Sequence, residues 1–294
     1  MNYDDNCRFL ELPQKPNTYL FERSPPIFIC NEKETQKSLK RIFNFSDKLF
    51  EKHFIEYGYH EIEKSQVNSS STTDVIELRF KWNHNYFHFL TEGLPSLLEI
   101  NLSEPTILYI ETGFTKDVLK WFSFTNPMET GIIYSYIKDI YVMRKIECGN
   151  PSPQKIKLLR DKISEKLRFE KKYGILIKRS ENYRSIMNHD RLLENLKNYY
   201  SDIEWKVFDK LSFNETTEFF SKAKVIFAPH GAGLTNMLFS PNNITIIEIM
   251  NKDDPNVCYW HLSQTLNNKH YIIPIDTFNE NFVVDDRFKS IKLI

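Results

Sequence analysis

His230-Gly231-Ala232-Gly233 places two of the chain's eight glycines in one tetrapeptide. Glycine makes up roughly 7% of an average soluble protein, so a pair in a chain this poor in it marks a backbone with special demands. Val225-Ile226-Phe227-Ala228-Pro229 before it reads as a buried strand. Leu234-Thr235-Asn236-Met237-Leu238-Phe239 after it reads as a short helix with positions 234, 237 and 238 on one face. Strand, glycine turn and helix start aim backbone N–H groups and a positive dipole end at an anion. A phosphate-bearing ligand is the chemistry this spacing suggests; a tight turn with His230 as its cap is the plainer alternative. The run matches neither the dinucleotide GxGxxG nor the P-loop.

Two further groups stand near it in the reading. Arg179 and Arg184 follow the strand that ends at Ile177, and the guanidinium fork suits phosphate oxygens, although a solvated basic turn needs no ligand. Glu248 lies in Ile246-Ile247-Glu248-Ile249-Met250, where a lone carboxylate is costly unless something pairs with it. Either an ion pair holds it or it accepts the two hydroxyls of a ribose, and the ribose is favoured. In the first half, Asn85-Tyr86-Phe87-His88-Phe89-Leu90-Thr91-Glu92-Gly93-Leu94-Pro95 sets an imidazole and a carboxylate four apart. On a helix they share a face, as a structural hydrogen bond or as an acid/base pair. Gly93 and Pro95 disturb that helix, since Pro95 disfavours α geometry at Leu94 and kinks or starts a helix there. His84 extends the same spacing, but with no further ligand nearby a metal site is not expected. No D-x-D triplet occurs, nor any G-x-S-x-G.

The elements that must position these residues are clearest beyond Cys148-Gly149-Asn150-Pro151-Ser152-Pro153, a turn-rich cluster that reads as a domain boundary. There the pattern predicts a helix over 156–169, a strand over 173–177 and a helix from an Asn188 cap to Tyr199. A strand over 205–208 follows, then a helix over 212–222 with Ser212 and Glu215 as a capping box, the strand to His230, the short helix, and a strand over 244–249. This βα alternation with continuous apolar strands predicts a parallel sheet covered on both faces. The first half reads as a second α/β domain, with strands over 75–80, 106–110 and 132–136 and helices over 94–100 and 115–122. The polar run 65–73 reads as a loop. In such sheets ligands bind beyond the carboxyl ends of the strands, where Arg179, His230, Glu248 and, in the first half, Glu111 are expected.

Bulk composition narrows the partners. Thirty-nine Lys plus Arg balance thirty-nine Asp plus Glu over 294 residues, so no global field recruits nucleic acid, and an anion site must be local. At 41% hydrophobic and 27% charged the chain reads as globular rather than disordered. Cys7, Cys30, Cys148 and Cys258 form no CxxC, which argues against zinc and against a disulfide scaffold. The polar start Met1-Asn2-Tyr3-Asp4-Asp5 lacks a signal-peptide core, and no run of residues has the length and apolarity of a membrane span. A cytoplasmic protein is the expectation.

Together, Arg179, Arg184 and Asn188, then Ala223 to Asn236 through His230-Gly231-Ala232-Gly233-Leu234-Thr235-Asn236, Phe239, and Ile247-Glu248 resemble glycosyltransferase family 61. Asn85-Tyr86-Phe87-His88, Glu92 and Leu94-Pro95 are similar to another segment of that family, so the likeness runs over roughly residues 80 to 275. The resemblance implies a GT-B fold, two Rossmann-like α/β domains facing across a cleft. It assigns residues 1–148 to an acceptor-side domain, with 1–73 poorly defined, 149–275 to the nucleotide-sugar domain, and 276–294 to a tail packing back on the first domain. It further implies inverting, metal-independent transfer, with no cofactor, from a UDP-sugar, with xylose or N-acetylglucosamine first, to a glycan or glycoprotein hydroxyl. Glu92 is then the expected base and His88 its reserve or its positioning partner. Arg179, Arg184, His230, Gly231, Ala232, Gly233, Leu234, Thr235 and Asn236 would hold the donor diphosphate, and Glu248 the ribose. The missing membrane anchor points to a bacterial or viral cytosolic enzyme, or to a trimmed chain. A sugar-nucleotide epimerase of the same architecture, or a non-catalytic nucleotide- or glycan-binding protein, would share these features.

Overall fold

The computed structural model describes residues 8–11, 27–30, 62–66, 73–78, 84–99, 106–124, 128–129, 137–143, 151–179, 183–254 and 256–293. Its strands in chain order begin with β1 (Arg8–Glu11), β2 (Ile27–Cys30), β3 (Ile62–Gln66), β4 (Thr73–Glu77), β5 (Thr106–Leu108), β6 (Met128–Glu129) and β7 (Ile137–Met143). They continue with β8 (Tyr173–Ile177), β9 (Glu204–Phe208), β10 (Ala223–Pro229), β11 (Thr245–Asn251), β12 (Lys269–Ile275) and a small hairpin, β13 (Thr277–Phe278) and β14 (Asn281–Phe282). The chain divides into two compact units, residues 57–166, and residues 1–56 with 167–294.

In the larger unit the sheet order is β1-β2-β12-β11-β10-β8-β9, with β9, β8, β10, β11 and β12 all parallel. Numbering those five from β8, the order is 2-1-3-4-5, that of a doubly wound sheet whose chain reverses direction of travel between its first and third strands. Every residue of β8 is buried, as is nearly all of β10 and β11, which is why these strands read as unbroken apolar runs. On one face Leu192 and Leu196 of the helix His189–Tyr199 pack with Val225, Phe227, Ile247, Ile249, Tyr271 and Ile273. The helix Phe213–Phe220 begins at Ser212 with the expected capping box and meets the 3₁₀ turn Ala232–Phe239 through an edge-to-face Phe213–Phe239 contact at 5.5 Å.

Residues 57–166 build a five-stranded sheet, β3-β7-β4-β5-β6, parallel except for β3 against β7. This is the second α/β sheet that the first half predicted. The expected strand over 132–136 lies outside the described residues, as do positions 67–72 of the expected loop.

Three expectations need correction. The units part between Lys166 and Leu167 rather than at 148/149. The turn-rich cluster instead starts a helix, Pro153–Ser164, capped by Ser152 with Pro153 in its first turn. Buried Lys155 on that helix donates to Ser96 Oγ at 2.9 Å and pairs with Glu99 at 3.1 Å, which binds it to the helix Leu94–Glu99 of the first unit. Residues 1–56 belong with the C-terminal unit, where β2 extends its sheet beside β12. The tail packs within the larger unit, where its 3₁₀ turn Asp286–Ser290 also meets β2 from the N-terminal stretch. Phe282, Val284, Phe288 and Ile291 complete the core over Phe227 and Tyr271, Phe288 meets Phe227 edge-on at 5.9 Å, and the Tyr200 hydroxyl donates to the Phe288 carbonyl at 2.7 Å. Asn188, expected as a side-chain cap, spends its amide on this tail, donating to Val284 O at 2.7 Å and accepting from Val284 N at 3.0 Å.

If the tail is core, Phe288→Ala removes a side chain with no solvent exposure and lowers unfolding free energy by about 3–5 kcal/mol. Urea denaturation followed by tryptophan fluorescence measures it; a loss near zero would show that the tail is an appendage.

Candidate functional site

Where the parallel sheet reverses, the ends of β8, β9 and β10 enclose a hollow of about 220 Å³. Ile177, Lys178 and Arg179 line it from β8, Phe208, Asp209 and Lys210 from β9, and Pro229 with Gly231, Ala232 and Gly233 from β10. This is the position at which doubly wound sheets take their ligands. Three of the lining residues are cationic against the single carboxylate of Asp209, a local positive excess in a chain of zero net charge.

The turn is shaped by its glycines. Gly231 has φ +157°, and a Cβ there would stand 2.5 Å from Arg179 Nη1; this corner of backbone space belongs almost wholly to glycine. A Cβ on Gly233 would come within 3.1 Å of Ile177 Cγ2, so the second glycine lets the turn lie close against β8. Arg179 Nη1 donates to the His230 carbonyl at 3.4 Å, and the His230 amide donates to Ile249 O at 2.8 Å. The Leu234 amide closes on Gly231 O at 2.9 Å, so the donors that precede the first intrahelical bond belong to residues 231–233. Leu234, Thr235 and Asn236 were expected to contribute as well, but all three are buried. The turn they form is 3₁₀ and packs them inward.

Arg184 is placed elsewhere than expected. Its backbone takes φ +54°, its amide donates to Glu280 O at 2.8 Å and its guanidinium lies 3.6 Å from Asp254. It does not line the hollow. Both guanidiniums do meet one ring, Arg179 at 5.5 Å and Arg184 at 4.8 Å from the Tyr183 centroid.

Glu248 is a correction. It stands inside β11 rather than at its end, has no solvent exposure, and both its oxygens are taken: Oε1 by His230 Nδ1 at 2.5 Å, Oε2 by His270 Nε2 at 2.9 Å. A carboxylate so enclosed offers nothing to a ribose; the ion-pair alternative is the one present. Burial by itself would raise its pKa. The charge and hydrogen bond of His230, and then those of His270, outweigh burial and hold the carboxyl below its ordinary range. The Tyr259 ring meets His230 edge-on at 5.0 Å.

The second group lies in the unit 57–166. His88 Nδ1 and Glu92 Oε1 are 2.8 Å apart, with both residues buried. The chain runs helical from Tyr86 to Glu99 but widens to a π turn over Phe89–Gly93, where the Leu94 amide bonds back to Phe89 O. Pro95 has no N–H for the regular ladder and crowds the carbonyl four residues back, so the kink expected there takes this form. Glu92 is 1% exposed and His88 9%, which puts the imidazole on the accessible side and the carboxylate behind it. The Ser96 hydroxyl donates to Glu92 O at 3.0 Å while accepting from Lys155. Glu111, expected near a ligand, is simply exposed beyond β5. His84 is exposed too, and among the described residues no group of three or more His, Cys, Asp or Glu could hold a metal ion.

Sequence reasoning missed Lys210, His270 and Lys155. Asp209-Lys210 follows β9 as Lys178-Arg179 follows β8, so looking beyond every strand end would have found it. His270 and Lys155 act on partners 22 and 59 residues away, and no local pattern marks them.

Comparison with known proteins adds a family. The family described as Glycosyltransferase 61 matches residues 86–247. EGF domain-specific O-linked N-acetylglucosamine transferases are similar: that of Drosophila melanogaster is 35% identical over 89 residues, 30% of this chain and 17% of its own length. The Gallus gallus protein is 36% identical over 101 residues, 33% of this chain and 18% of its own. The aligned stretch thus spans under a fifth of either relative.

Gly231→Ala tests the turn directly. The added methyl must displace the Arg179 guanidinium and strain the backbone, costing on the order of 1–3 kcal/mol. A melting temperature several degrees below that of the parent protein is expected; an unchanged one would mean the turn is not held as described.

Proposed function

The chain belongs to the glycosyltransferase 61 family, and from that premise we propose that it transfers a sugar from a UDP-sugar to an acceptor hydroxyl, with inversion and without a metal. One observation carries the reading: a cationic hollow with glycine-turn amides at the reversal point of a parallel sheet. In this GT-B reading the unit containing 167–294 binds the donor and the unit 57–166 supplies the acceptor chemistry. The amides of residues 231–233, with Lys178, Arg179 and Lys210, stabilise the charge that grows on the departing diphosphate. A diphosphate is strongly negative at neutral pH, and the three cationic residues of the hollow offset that charge. The names of the relatives make N-acetylglucosamine the first sugar to try.

For the base, the geometry supports His88 over Glu92. A base must touch the proton it removes. Glu92, almost without exposure, instead accepts the His88 Nδ1–H, which orients the ring and leaves the imidazole as the more accessible member of the pair. The acceptor oxygen would then attack the anomeric carbon as its bond to UDP breaks, the hydroxyl proton passing to the His88 imidazole.

His88→Ala is expected to lower kcat by about 10²–10⁴-fold while leaving UDP affinity within a factor of about two. Glu92→Gln removes the charge behind the ring and should fall in the same direction but less far. Screening UDP-sugars for transfer or slow hydrolysis, with UDP binding by calorimetry, reads both. Full turnover in both variants would make the pair structural, and no UDP binding by the parent chain would remove the transferase reading.

A further inference from the structure

With Glu248 enclosed by two imidazoles, the sugar ring of a nucleotide has no carboxylate from β11, and one residue of the hollow is left without a task. Asp209 is the single carboxylate among lining residues that are otherwise cationic, apolar or glycine. It is exposed, and among the described residues it has no hydrogen bond or ion pair. A carboxylate in an anion site repels the anion. Asp209 therefore opposes phosphate binding unless it meets a part of the ligand that is uncharged and carries hydroxyls.

Strand register places that part. Phe208 of β9 stands opposite Ile177 of β8, and the Lys178 amide donates to the Phe208 carbonyl at 2.8 Å, so Asp209 leaves the sheet beside Lys178. On the other flank of β8, Phe227 of β10 stands opposite Leu176, and β10 runs on into the glycine turn. The two flanks are two strand spacings apart, about 10 Å, with the end of β8 between them. That span suits a ribose 5′-diphosphate laid across β8, its phosphates towards the glycine turn and its ring towards β9. In dinucleotide-binding sheets an acidic side chain beyond the second strand takes a ribose hydroxyl. Counted from β8 in chain order, β9 is the second strand of this parallel sheet. The likeness is one of place alone, since the GxGxxG of those sheets is absent here.

Resting on the UDP-sugar reading, we propose that Asp209 accepts hydrogen bonds from the 2′- and 3′-hydroxyls of the donor ribose and makes the site selective for ribonucleotides. A vicinal diol offers two donors to the two oxygens of one carboxylate, and hydrogen bonds to a charged group are the strong ones. Calorimetry of the full chain with UDP, 2′-deoxy-UDP and inorganic pyrophosphate tests it. The parent chain should bind UDP about tenfold or more tighter than 2′-deoxy-UDP. Asp209→Ala should weaken UDP by about tenfold or more and bring the two nucleotides within a factor of about two of each other. Pyrophosphate has no hydroxyl to lose, so the variant should bind it at least as tightly as the parent does. A residue that only tuned the local field would instead shift UDP and pyrophosphate the same way. Should the variant misfold, the two nucleotides on the parent chain decide by themselves. Equal affinity of the parent for UDP and 2′-deoxy-UDP, or a folded variant that binds UDP as well as the parent or better, overturns this inference alone. No UDP binding at all overturns the donor reading and this inference with it.

Discussion

The carboxylate of Glu248 is the constraint around which the larger unit is organised. It sits within β11, with Ala228 of β10 and Ile272 of β12 as its neighbours in register. Residues two apart on a strand share a face, so His230 and His270 reach the same side of the sheet from the strands on either flank. The small side chain of Ala228 leaves room there for two imidazoles. Breaking such a buried pair by removing one partner typically costs about 3–5 kcal/mol, so three consecutive strands are tied at one level by a single side chain. Among the described residues Glu248 is the one carboxylate buried in the strands of the parallel sheet.

From that tie the geometry of the hollow follows. His230 cannot swing outward while its ring is bonded to Glu248 and its amide to Ile249. The chain must therefore turn sharply at the next residue, and only glycine accepts φ +157° there. Arg179 fills the space a side chain would take, and its guanidinium then points across the hollow from β8. Buried polar pairing thus fixes the backbone, the backbone fixes the arginine, and the arginine supplies charge beside the glycine turn.

Much of this unit was legible in the sequence because parallel strands buried on both faces leave continuous apolar runs, and β8 matched its reading residue for residue. Ser212 with Glu215 likewise marked a helix start that is present. What could not be read depends on strand order. Lys210 joins Arg179 only because β9 lies beside β8, and His270 reaches Glu248 only because β12 lies beside β11. Local periodicity carries no information about which strands are neighbours. Pro151-Ser152-Pro153 was ambiguous for a different reason: proline and serine open helices as readily as they break chains, and burial of Lys155 against Ser96 decided between the two. The same limit hid the tail, whose Phe282, Phe288 and Ile291 are apolar points in a polar stretch until the core they enter is known.

The His88–Glu92 pair shows how local conflict and site geometry meet. Four-residue spacing alone would place the two groups together on an ordinary helix, yet Pro95 forbids the regular ladder just beyond them. The π turn over Phe89–Gly93 accommodates the proline while keeping the helical direction, and it is a less stable backbone than the one it replaces. It is held in place from outside. Thr91 Oγ1 donates to Phe87 O at 2.8 Å, and Ser96, itself pinned by Lys155, donates to Glu92 O. A merely structural hydrogen bond would need no such support, because an α helix without Pro95 would supply it. A widened, externally braced turn that buries the carboxylate and leaves the imidazole nearer the surface is better explained by a demand on the ring itself.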